Sequence, residues 1–92
     1  MVLECVRIKN VPGSIRQRDI ENEWGDLNIA HHGLVFLADR IYAFFEAKRD
    51  AEDAVARGFA HKSKTFKTKQ IRYTDFRNKC LNIFVKYRRV HY

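Results

Sequence analysis

Reactive chemistry in this chain would have to come from four histidines, two cysteines and eleven carboxylates. His31-His32, His61 and His91, with Cys5 and Cys80, stand at no spacing that reads as a zinc site. No nucleophile lies beside a base and no carboxylates are paired. The glycines Gly13, Gly25, Gly33 and Gly58 are scattered, where a phosphate-cradling loop would gather them. These absences lead us to expect no catalysis, no metal and no cofactor. What remains is binding chemistry. In RIYAFFEA, residues 40–47, Tyr42 and Phe44 share one parity with Glu46, while Ile41, Ala43, Phe45 and Ala47 make the other wholly apolar. As a strand, this segment has one face for a core and a second that sets two aromatic rings beside charge.

The second binding feature is charge. The net charge is +7, yet residues 1–60 carry 8 Lys+Arg against 10 Asp+Glu, while residues 61–92 carry 10 against the single Asp75. Basicity therefore belongs to the last third, in Lys62, Lys64, Lys67, Lys69, Arg72, Lys86, Arg88 and Arg89. Positive charge concentrated in this way attracts nucleic acid or another polyanion. The plainer reading is a solvated, solubilising surface.

Ninety-two residues make one domain, and a 46% hydrophobic content is ordinary for a globular chain. No run of eighteen apolar residues is present, so no membrane span is expected. MVLECVRIKN lacks the charged start and long apolar stretch of a secretory signal, and two cysteines are too few for a disulfide scaffold. The expected setting is reduced and intracellular, nuclear or cytoplasmic.

The elements that must carry the aromatics follow from periodicity. ECVRIKNV alternates Val6 and Ile8 against Arg7 and Lys9 and reads as a strand ended by Pro12-Gly13. Ser14 and Gln17 have the spacing of a capping box. Ile20, Trp24 and Leu27 then form one helical stripe, opposite an acidic face of Asp19, Glu21, Glu23 and Asp26, with Asn28 as a left-handed stop. GLVFLADRIYAFFEA reads as two strands joined by a tight turn at Ala38-Asp39. A second helix, capped by Asp50, buries Ala51, Ala54 and Val55 and stops at Gly58. HKSKTFKTK is a basic loop or small hairpin. QIRYT is a last short strand, with Ile71 and Tyr73 opposite Gln70 and Arg72. The order, strand–helix–strand–strand–helix–strand, predicts an α+β sandwich of ferredoxin-like βαββαβ topology: a four-stranded antiparallel sheet, two helices on one face, the other face open.

Over residues 3–75 the chain resembles the RNA recognition motif family. That family's octamer, basic-Gly-aromatic-Gly/Ala-Phe-Val-x-aromatic, aligns with residues 40–47: Arg40, Tyr42, Ala43 and Phe44 fit, Ile41 and Ala47 do not. Its first-strand hexamer aligns with residues 6–11, where the apolar positions and Asn10 fit and Arg7 replaces the usual aromatic. VPGSIRQRDIENEWGDLN follows the family from first strand through first helix without a gap. The resemblance implies single-stranded RNA as partner, with Tyr42 and Phe44 stacking bases and Arg7, Lys9, Arg40, Lys69 and Arg72 on the backbone. Two departures imply modest affinity: one stacking aromatic is lost, and the clamping loop between the second and third strands shrinks to Ala38-Asp39. Lys64-Thr65-Phe66 also resembles the Arg-x-Phe loop of a subclass that captures a partner's tryptophan in place of RNA, but Lys64 stands where that loop needs arginine. Phe66 as a plug at the end of the core is the simpler expectation.

The domain is expected to span 1–75, with 76–92 as a C-terminal extension. Leu81, Ile83, Val85 and Tyr87 share a strand parity, and Leu81, Phe84 and Val85 a helical face; β-branched and aromatic content leans to strand. The extension has three placements: widening the sheet, lying across Tyr42 and Phe44, or burying Leu81, Ile83, Phe84, Val85 and Tyr87 in a partner chain. The expected function is thus RNA binding within an RNA-processing ribonucleoprotein assembly. The alternative is the same fold used for homo- or hetero-oligomerisation with other protein subunits of such a complex, binding little or no RNA.

Overall fold

Alternation puts Val6 and Ile8 on one side of β1 (Glu4–Ile8) and Cys5 and Arg7 on the other, and the whole fold is organised about that division. The computed structural model describes residues 3–80. Helix α1 (Gln17–Asp26) and the hairpin of β2 (Gly33–Leu37) and β3 (Arg40–Phe45) follow β1. Next come α2 (Lys48–Arg57), a small hairpin of β4 (Phe59–His61) and β5 (Lys64–Phe66), and β6 (Thr68–Ile71). A further helix, α3, occupies residues 73–80. The four long strands form one antiparallel sheet in the order β2-β3-β1-β6. The architecture is the expected ferredoxin-like α+β sandwich.

Under α1 and α2 lies the main core. Ile20 and Trp24 from α1 and Ala51 and Ala54 from α2 pack on Val6, Ile8, Ile41, Ala43 and Phe45, all essentially without solvent contact. Alanines Ala51 and Ala54 face this core from α2 and Trp24 from α1, its ring centroid 5.4 Å from that of Phe45. Burial of large apolar side chains, about 1.5–3 kcal/mol each, is the main force holding these layers. Phe59 and Phe66 stack at 6.0 Å and close the end of this core, so Phe66 is a plug.

Local signals are corrected in three places. Arg16, not Ser14, is the N-cap of α1, and its backbone N–H donates to the Asp19 carboxylate at 2.8 Å. Helix α2 begins at Lys48 behind Ala47, two residues before the expected Asp50 cap. Strand β6 ends at Ile71, so Tyr73, expected on a strand, lies in α3. Asn28 adopts a positive φ of 58°, as expected of a left-handed stop, and Gly58 ends α2 with φ of 72°.

Candidate nucleic-acid interface

The second face of the sheet is built in cross-strand rows. Val35, Tyr42, Arg7 and Lys69 are successive partners across β2, β3, β1 and β6 and form one row. Gly33, Phe44, Cys5 and Ile71 form the next. Paired residues in a sheet point to the same side, so Tyr42, Phe44, Arg7 and Lys69 share this face. Arg72 does not. The parity of the last strand is the reverse of the expected one: Lys69 and Ile71 take the outer face, and Arg72 follows the strand end, its side chain 83% exposed and 3.5 Å from Asp75.

Nor is the face open. Helix α3 lies on it, and the Phe76 ring sits 5.0 Å from Tyr42 and 4.9 Å from Phe44, centroid to centroid. Tyr73 adds an edge contact to Phe44 at 6.3 Å. Tyr42 keeps 2% and Phe44 8% of its surface exposed. With Cys5, the two rings form a second apolar cluster flanked by Leu3, Val35, Leu37, Ile71 and Phe76. Burial raises the Cys5 thiol to about 12, which keeps it a neutral thiol. Residues 73–80 lie across the aromatics as a helix, and most of the 76–92 extension, for which three placements are expected, lies outside the described residues. Leu81, Ile83, Phe84, Val85 and Tyr87 lie outside the described residues.

Around this cluster the exposed rim is basic. Proton affinity at the Lys9 ammonium is lowered first by Arg7, then by partial desolvation, then by Arg40, Lys69 and Lys79. Arg7 Nε is buried with no hydrogen-bond partner among the described residues, an unused donor within the cationic cluster. On the β6 side, Arg7, Lys9, Lys64, Lys67 and Lys69 line an open groove of about 470 Å³. Lys64 Nζ also stands 4.9 Å over the Phe66 ring. Arg7, Lys9, Arg40 and Lys69 thus lie near one another. Lys79 was missed because nothing in its local pattern foretold a helix that would carry it back across the sheet.

Among the described residues no three His, Cys, Asp or Glu side chains gather as a metal site, and no helix is long and apolar enough to cross a membrane. His32 Nδ1 and Glu46 form a pair at 2.8 Å, exposed on both sides.

Fold and face together define a ferredoxin-like sandwich whose outer sheet surface is capped by a helix and ringed by cations. Among solved structures, the chain is similar to human G-rich RNA sequence binding factor 1, from Homo sapiens, with a TM-score of 0.68 over 94% of this chain and 97% of that one. At 16% identity the two share the fold. No protein-family model and no curated protein matches the sequence.

Proposed function

We propose that this domain is a non-catalytic, single-stranded RNA-binding module of the RNA recognition motif type, working inside the cell as part of an RNA-processing ribonucleoprotein assembly. One observation carries the reading: Arg7, Lys9, Lys64, Lys67 and Lys69 line one groove beside the Tyr42–Arg7–Lys69 row of the sheet, and no acidic side chain lines it. Cations lining a groove with no acidic side chain among the lining residues are suited to a polyanion, and the similarity in fold to an RNA-binding factor supports RNA as that polyanion. With α3 in place, Tyr42 and Phe44 hold the helix and phosphate contacts lead the binding. Base stacking on the pair, worth about 1–3 kcal/mol per base, requires α3 to move off. Affinity is modest for that reason.

The burial of Tyr42 and Phe44 favours a second reading, in which the fold serves protein–protein assembly and the aromatics only anchor α3. An amide chemical-shift titration with a pool of short single-stranded RNAs, at low and physiological salt, separates the two. Shifts at Arg7, Lys9, Arg40 and Lys69 that weaken with salt support RNA binding. No shift at either salt, with a dimer in solution, establishes the assembly reading in its place.

A further inference from the structure

We propose that the groove between the end of β1 and the β5–β6 segment receives the terminal phosphate monoester of an RNA strand, held by Arg7, Lys9, Lys64, Lys67 and Lys69. This rests on the RNA-binding reading and specifies which part of the RNA is recognised.

Two independent observations lead to a chain end. The first is charge. Five cationic side chains line about 470 Å³ without an acidic one, and residues 81–92 contain no Asp or Glu that could neutralise them. An internal phosphodiester brings one negative charge; a terminal monoester brings nearly two at neutral pH, its second pKa being near 6. The buried Arg7 Nε, lacking a partner among the described residues, adds a donor whose desolvation is already complete, and such a donor gains most from an ionised acceptor.

The second observation is steric. A strand crossing the sheet from β6 towards β2 would pass over Arg7, then Tyr42, then Val35, in the row set by the strand pairing. Helix α3 closes that path, with Phe76 against Tyr42 and Phe44. A strand entering the groove therefore stops or turns away, and stopping matches the groove's surplus of charge.

The test uses the full 92-residue chain and one short RNA pool synthesised with 5′-phosphate, 3′-phosphate or hydroxyl ends, with inorganic phosphate as a separate probe. Calorimetry is expected to show one phosphorylated form binding about ten-fold tighter than the hydroxyl form. That advantage should fade as pH falls through about 6 and the monoester loses a charge. The Lys64→Ala, Lys67→Ala double variant should abolish it, whereas Arg49→Ala with Arg57→Ala, the same charge removed from α2, should leave the ratio unchanged. Equal affinity of all three RNAs overturns the inference and leaves RNA binding standing. Groove shifts with inorganic phosphate and none with any RNA overturn both.

Discussion

Phe76 meets Phe44 edge to face, with ring centroids 4.9 Å apart and planes at 78°, and the same ring lies 5.0 Å from Tyr42. One side chain of α3 thus occupies the space above both aromatics that the RNA recognition motif resemblance would give to bases. Aromatic pairs in this geometry are worth about 0.5–1.5 kcal/mol each beyond area burial. Under the proposed function, a base reaching either ring has to displace Phe76 and offset both these contacts and the area Phe76 buries.

Phe76→Ala removes the competitor's anchor. The variant should lose about 2 kcal/mol of stability, read as a lower melting temperature. It should bind single-stranded RNA more tightly by fluorescence anisotropy, because Tyr42 and Phe44 become available. Unchanged or weaker RNA binding in a folded variant would remove stacking from the account.

Gly58 has φ of 72° and ψ of −167°, a conformation reached at low cost only by glycine, and a Cβ there would lie 2.9 Å from the Phe66 carbonyl oxygen. Gly58→Ala should cost about 2–3 kcal/mol in urea denaturation. The loss should come without a change in RNA affinity measured well below the melting temperature.

Charge contacts are separable by salt. Each phosphate contact on a single strand adds about 0.7 to the slope of log affinity against log salt. Arg7→Ala and Lys69→Ala should each lower that slope by about this amount. Arg72→Ala should scarcely alter it, since Arg72 projects into solvent beside Asp75.

The thiol of Cys5 gives a pH dependence. Its folded value of about 12 lies above the ordinary 9.0, so between these values the folded state holds a proton that the unfolded state releases. The contribution to stability is complete below pH 9.0 and is lost as pH rises towards 12. Urea midpoints for the wild type should fall from pH 8 upward into the alkaline range, and Cys5→Ala should fall less steeply.

The sheet and its two packed helices were legible because their signals are local and repeated: alternation at Val6 and Ile8, the stripe of Ile20 and Trp24, and the wholly apolar parity of Ile41, Ala43 and Phe45. The basic cluster was legible in part, since Arg7 and Lys69 follow from strand parity once the pairing is known. The last strand was the weak point. With four residues and no clear alternation, β6 admits either parity, and a one-residue slip exchanges Ile71 for Arg72 on the outer face. The helix over the aromatics was hidden for another reason. Residues 73–80, YTDFRNKC, offer the sheet little more than Tyr73 and Phe76, too few apolar positions to reveal a helical period.

Cys5 lies beneath this helix, 1% exposed and packed with Tyr42 and Phe44. A thiol so placed can be alkylated only in the intervals when α3 lifts, and only through its small thiolate fraction. In a Cys80→Ser background its labelling rate becomes a stopwatch on the helix. The protein thereby carries its own reporter of how often the aromatic pair is bared, readable by mass spectrometry with no RNA present.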